Sequence, residues 1–383
     1  MALHFERSEF DGRVAKTCEA MKAGRLDALL MFRQESMYWL TGYDTFGYCF
    51  FQCMVLTADG RIVLLTRAPD LRQAQLTSTV TDIRIWRDRE GANPAEDLRA
   101  ILDELDLDGT RLGIELDAYG LTGQSLRMVD RAMEGFGVMI DASKLVSRLR
   151  LVKSPAEIGY VRRAAELSDD ALDAALAEAR PGAWEGDILA AMQGAVFRGG
   201  GDYAGNEFII GSAEHALLCR YQSGRRHLDP QDQLTLEYAG CYRRYHAAMM
   251  HTLPVGTVTD RQRDMHKACE EALLSCEAAL KPGAVMGDVF QVHADVFDRA
   301  GYRDHRLNAC GYCMGAAFSP IWMDWPMFYA DNPVKLQPGM AFFLHMILMD
   351  SDSGTAMTLG RSSLVTETGH EVLSRHSTDL KAV

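Results

Sequence analysis

The stretch that most limits what this chain can fold into is Arg148-Leu-Arg-Leu-Val-Lys-Ser-Pro-Ala-Glu157. Ser154 can cap a new helix, Pro155 suits a first turn that needs no N–H, and Glu157 lies where a capping box puts its acid. A helix therefore starts at Pro155, and the pattern of the chain changes around it. Before it, short apolar runs alternate with helical stretches. A helix over Ser8–Ala23 precedes a buried strand over Asp27–Phe32, and the runs Cys49–Thr57 and Arg61–Thr66 flank Ala58-Asp59-Gly60 as a hairpin. Further strands over Asp82–Trp86 and Leu112–Leu116 are separated by helices over Pro94–Glu104 and Leu121–Met133. This alternation predicts a small α/β domain over residues 1–148.

From residue 149 to 383 the order is different. Helices over Pro155–Ala179 and Trp184–Phe197 lead into strands over Glu207–Gly211 and Leu234–Ala239. Long helices follow over Asp260–Leu280 and Val285–Ala300, then strands over Met340–Met349 and Leu359–Thr366. Helices segregated from long strands predict a layered α+β domain. A chain of 383 residues suits two such domains.

Charge and cysteine usage narrow the function. With 40 Lys and Arg against 53 Asp and Glu, a net charge of −13 and no basic run, neither a nucleic acid nor an anionic membrane is expected as a partner. No apolar run approaches a membrane span, and the start MALHFERSEFDGR is charged where a signal peptide is apolar, so a cytoplasmic protein is expected. The nine cysteines are odd in number and scattered, as suits reduced thiols. Cys310-Gly-Tyr-Cys313 lacks a second such pair or paired histidines and reads as buried small side chains.

Five segments occur in a telling order: Arg150-Leu-Val-Lys-Ser-Pro-Ala-Glu157, Pro181-Gly-Ala-Trp-Glu185, Leu280-Lys-Pro-Gly283, Leu336-Gln-Pro-Gly-Met340 and Leu364-Val-Thr-Glu-Thr-Gly369. Together they resemble the pita-bread superfamily of methionine aminopeptidase, aminopeptidase P, prolidase and creatinase, over nearly the whole chain. The resemblance implies a C-terminal pita-bread domain behind a smaller creatinase-type N-terminal domain. Metal-dependent members clamp two divalent ions with two Asp, one His and two Glu, and the ions activate water. Here those positions fall on Glu237, Ala248, Tyr312, His345, and on or near Gly360. Only Glu237 and His345 could still ligate, so the resemblance implies no metal and no other cofactor.

Creatinases and ectoine hydrolases are the superfamily's metal-free hydrolases, cutting C–N bonds in small, polar, cyclic or amidino molecules. Leu236-Glu-Tyr-Ala-Gly-Cys-Tyr-Arg-Arg-Tyr-His-Ala247 and Trp39-Leu-Thr-Gly-Tyr-Asp44 look more like the ectoine hydrolase branch, in which a Glu stands at the first metal position. The catalytic His of creatinases falls on Arg220. Departures around Thr45–Phe50 and Phe342–His345 leave room for a different substrate.

The residues themselves suggest roles. Glu237 lies between Leu236 and Tyr238, where a carboxylate is costly to bury unless it is paired or used. It could attack carbon or deprotonate water, with a pKa raised by burial; an Arg-paired structural Glu is the alternative. His345, among Phe342, Phe343, Leu344 and Met346, reads as an imidazole titrating near neutrality that shuttles the leaving-group proton, or as a core histidine. His246 and His251 face opposite sides of a strand, and His246 is the one taken to share the cleft with Glu237. Arg220 and Tyr312 could hold a substrate carboxylate through a charged fork and a hydroxyl. Tyr43 and Tyr48, with Phe50 and Phe51, would cover the partner's site in a dimeric relative, and otherwise are core aromatics. Trp322 could wall a pocket or cap a loop. The expectation is a homodimeric, metal-independent hydrolase of a C–N bond in a small zwitterion, cyclic amidines of the ectoine type first. A creatinase-like amidinohydrolase and a catalytically silent binding protein are the alternatives.

Overall fold

Residues 3–220 and 224–383 are described by the computed structural model. The chain divides into two compact units, 1–150 and 151–383.

In the first unit the strands are β1 (Ala28–Met31), β2 (Cys53–Thr57), β3 (Ile62–Arg67), β4 (Asp82–Trp86), β5 (Arg111–Ile114) and β6 (Val138–Asp141). They form one mixed sheet in the order β4-β3-β2-β1-β5-β6. The β2–β3 hairpin is antiparallel and its turn falls at Ala58–Gly60, as its glycine and aspartate predict. Because successive side chains of a strand point to opposite faces, Ala28 and Leu30 of β1 join one apolar layer and Leu29 and Met31 the other. Helices α4 (Pro94–Glu104) and α5 (Gly123–Ala132) cover the first face. The second is covered by α1 (Arg7–Ala23), α2 (Gln34–Thr41), α3 (Leu71–Thr77) and α6 (Leu145–Leu149). α2, α3, α6 and β6 fall outside the elements that the sequence predicts, because each is too short for a period to show.

The second unit opens with α7 (Pro155–Glu178), capped as its sequence predicts: Ser154 Oγ accepts from the Glu157 N–H at 3.3 Å, and Glu157 Oε2 accepts from the Ser154 N–H at 2.9 Å. Such a cap is worth about 1 kcal/mol. Glu157 Oε1 also accepts from the Tyr245 hydroxyl at 2.6 Å, tying the start of the helix to the sheet. Next come α8 (Glu185–Arg198), β7 (Ile209–Ser212), β8 (Asp232–Tyr242), β9 (Tyr245–Val255), α9 (Asp260–Ala279) and α10 (Met286–Arg299). The chain finishes with β10 (Gly311–Cys313), β11 (Asp324–Met327), β12 (Ala341–Asp350), β13 (Thr355–Val365) and β14 (His370–Val372). The sheet runs β11-β10-β12-β13-β9-β8-β7, all antiparallel, with β14 paired to β13.

One face of this sheet is lined by helices. Phe342, Leu344, Met346 and Leu348 of β12 pack into one core with α9 and α10. On the other side of the sheet's middle, α7 closes onto the β8–β9 hairpin at Gly240, whose N–H donates to Ser168 Oγ at 2.6 Å. A Cβ there would lie 2.1 Å from the Ala164 carbonyl oxygen, so only glycine allows this approach. The opposite face of the sheet carries the residues of alternate parity: Glu237 on β8, Ala248 and Met250 on β9, Gly360 and Ser362 on β13, Phe343 and His345 on β12, and Tyr312 on β10.

Candidate active site

Strand register gathers the sequence-predicted residues into one patch. Glu237 lies opposite Met250, Met250 opposite Gly360, and Gly360 opposite His345. One step along, Phe343 pairs with Ser362 and with Tyr312. Side chains directly opposed across antiparallel strands share a face. Glu237, His345 and Tyr312 therefore meet although more than a hundred residues separate the first from the last.

Glu237 is half-buried. Its Oε1 accepts from the Tyr312 hydroxyl at 3.3 Å, and Oε2 receives no hydrogen bond among the described residues. Burial pushes its pKa up to about 7, against the opposing charge of Arg220 and the Tyr312 hydrogen bond. The Tyr312 phenol is driven well above its ordinary value by burial and by the neighbouring carboxylate, so it stays a neutral donor. Its oxygen in turn accepts from the Trp322 indole N–H at 2.8 Å. Arg220 is exposed, and its positive charge is felt at Glu237, Tyr312 and His345.

His345 departs from expectation. Its ring lies against Tyr312 at 5.7 Å and Phe343 at 5.5 Å, and its Nδ1 is sealed from solvent without a partner among the described residues. Burial lowers its pKa to about 4, and the Arg220 charge acts in the same direction. An imidazole titrating there is neutral at pH 7, whereas the sequence alone puts its pKa near neutrality.

His246 is also corrected. It does lie on the face shared with Glu237, but its Nε2 accepts from the Gly205 N–H at 2.8 Å and its Nδ1 stands 3.4 Å from the Gly315 carbonyl. Both nitrogens hold backbone, and burial lowers the pKa to about 4. The residue is a clamp on two loops. His251, on the other face, is buried as well, with its pKa lowered to about 3 by burial.

Tyr43 and Tyr48 belong to the first unit. Tyr43 is fully buried in the first unit's core, its hydroxyl 3.3 Å from Gln52 Oε1, and Tyr48 is buried there too. The aromatics that reach solvent in that segment are Phe46, 76% exposed, and Phe50, 49% exposed. Trp322 is buried behind Tyr312, with its indole N–H on the phenol oxygen, and forms no open wall. Cys310 and Cys313 are fully buried, and Cys313 Sγ accepts from Lys153 Nζ at 3.0 Å.

A divalent-ion pair of the kind the resemblance brings with it does not fit these residues. Among the described residues no three His, Cys, Asp or Glu side chains come together as a metal cluster. At Gly360 the space is taken: a Cβ would lie 2.9 Å from Phe343 Cε2 and 2.8 Å from the Leu344 carbonyl oxygen. An aromatic ring thus occupies the place from which a carboxylate would reach the patch.

Known proteins place this geometry. Two domains in this order, with an antiparallel sheet backed by helices, make the pita-bread fold behind a creatinase-type domain. The chain belongs to metallopeptidase family M24, whose pattern matches residues 159–367, while the creatinase/prolidase N-terminal domain matches 13–152. It is 26% identical over 393 residues to the ectoine hydrolase of Halomonas elongata, covering 98% of this chain and 97% of that protein. An uncharacterized hydrolase/peptidase of Sinorhizobium fredii is 27% identical over 384 residues, 97% of each chain. Among solved structures, a prolidase from Thermococcus sibiricus superposes with a TM-score of 0.87 at 16% identity, over 98% of this chain and 99% of that one, a likeness of fold. The chain is thus a member of a hydrolase family.

Proposed function

We propose that this protein hydrolyses a C–N bond in a small polar zwitterion without a metal ion, with cyclic amidines of the ectoine type as the leading substrates. The observation that carries the reading is Glu237: one carboxylate with a pKa near 7, one oxygen held by Tyr312 and the other without a partner among the described residues. A group titrating near the working pH is suited to both halves of acid–base catalysis. Glu237 takes a proton from water as the oxygen adds to the amidine carbon. The resulting tetrahedral carbon expels its ring nitrogen, which receives that proton, and the ring opens. Because His345 is neutral, the protonated Glu237 is the acid at hand. Direct attack by the carboxylate on the same carbon is the variant of this step. Arg220 supplies the cation that a substrate carboxylate would seek. The 26% identical ectoine hydrolase supports this substrate class.

The test is to incubate the protein, treated with chelator, with ectoine, hydroxyectoine and creatine, following ring opening or urea release by NMR. Turnover of either ectoine is expected. Glu237→Gln should lower it by about 10²–10⁴-fold, the usual weight of a general base. Release of urea from creatine would assign the amidinohydrolase chemistry instead. Saturable binding without turnover would leave a binding protein, and turnover within a few-fold of wild type in Glu237→Gln would remove the mechanism.

A further inference from the structure

We infer that Trp322 is a positioning residue: through the Tyr312 hydroxyl it fixes which oxygen of Glu237 is held and which is left to react. This rests on Glu237 as the reacting carboxylate. The direction of the chain follows from the chemistry of its members. An indole N–H is a donor only, so the 2.8 Å contact between Trp322 Nε1 and Tyr312 Oη fills an acceptor site on the phenol oxygen. With Glu237 ionised, the phenol's own hydrogen points to Oε1, 3.3 Å away. Accepting one hydrogen bond also makes a hydroxyl a stronger donor in the next. Oε2 has no donor among the described residues and is the oxygen available to water or to substrate carbon.

Trp322 is itself held in place. Its backbone N–H donates to Asn206 Oδ1 at 3.2 Å. The neighbouring Gly205 packs so closely that a Cβ would lie 2.8 Å from the Ile321 carbonyl oxygen. The Gly205 N–H is fixed in turn by His246 Nε2 at 2.8 Å. The buried His246 thus holds the loop that holds the tryptophan.

The experiment reads the hydrogen bond directly and needs no substrate. With indole-15N tryptophan in the full-length protein, five indole N–H signals are expected, one per tryptophan, and Trp322→Phe assigns the signal of interest. That resonance should move upfield in Tyr312→Phe, by more than any of the other four. It should also move in Glu237→Gln, two links away, because the bonds polarise one another. A Trp322 signal unmoved by Tyr312→Phe overturns the proposal whatever the protein's activity.

The functional arm uses the substrate identified above. Trp322→Phe should lower kcat about tenfold at little change in KM and shift the acid limb of the pH–rate profile. It should add nothing in a Tyr312→Phe background. Replacing Trp322 with benzothienylalanine, which keeps the shape and lacks the N–H, should reproduce the Phe variant. If that analogue behaves as wild type, Trp322 is only a packing residue and the inference is wrong.

Discussion

Replacing Glu237 by Gln should stabilise the protein at alkaline pH and leave its stability unchanged in acid. The pKa rises from 4.5 to about 7 on folding, because burial disfavours the charged form. For a raised pKa the folded state binds the proton more tightly than the unfolded chain. The contribution is fully present below pH 4.5, declines as pH rises towards 7 and is gone above it. At about 1.4 kcal/mol per unit this is roughly 2–3 kcal/mol, after a discount for the solvent that reaches a half-buried group. Gln keeps an acceptor for Tyr312 and carries no charge, so it escapes the penalty. Melting wild type and variant at pH 5 and pH 8 gives a double difference that cancels every effect independent of pH. At about 2–4 °C per kcal/mol for a domain of this size, Glu237→Gln should gain roughly 5–10 °C at pH 8 relative to pH 5. An equal offset at both pH values would mean that the Glu237 carboxylate is not destabilised where it lies, and the argument from burial would fail.

Three further outcomes are expected. Purified protein should hold less than stoichiometric divalent metal and keep its activity in chelator, and elemental analysis finding about two ions per chain would refute this. Gly360→Ala should cost about 1–3 kcal/mol, because its Cβ would meet the Phe343 ring at 2.9 Å; an unchanged melting temperature would show that the ring moves freely. Light scattering at micromolar concentration should give a homodimer, a proposal that rests on the resemblance and is joined by the exposed Phe46 and Phe50; a monomer counts against it.

What the sequence makes legible is local. The capping box at Ser154–Glu157, the turn at Ala58–Gly60 and the strand around Glu237 are each set by residues within a few positions, and each is where it was read. The parity of β9 likewise puts His246 on the Glu237 side. Its partners Gly205 and Gly315 lie 41 and 69 residues away, and no spacing announces that both ring nitrogens are taken. Trp322 is only ten residues from Tyr312, but the segment between them is irregular, so no period predicts that the indole faces the phenol. The aromatic run near Tyr43 has the same difficulty. Its composition does not separate the buried Tyr43 and Tyr48 from the exposed Phe46 and Phe50, which only the fold of that segment decides.

The set of substitutions across the patch is coherent physically, and this is the strongest general support for the proposed chemistry. A metal pair neutralises the carboxylates around it; without the ions, several carboxylates a few ångströms apart would repel and stay protonated. A chain that works without the ions therefore needs to shed carboxylates and fill the space they leave. In the ligand set that the resemblance gives, Ala248 and Gly360 stand in place of two carboxylates, the Phe343 ring fills the ground above Gly360, and Tyr312 puts a neutral donor beside Glu237. The neutral His345 adds no charge to balance it. Glu237 sits in a partly dry site, and that burial is what lifts its pKa to about 7. On the proposed reading, the same residues that leave no room for a metal pair would supply the acid–base group that works in its place.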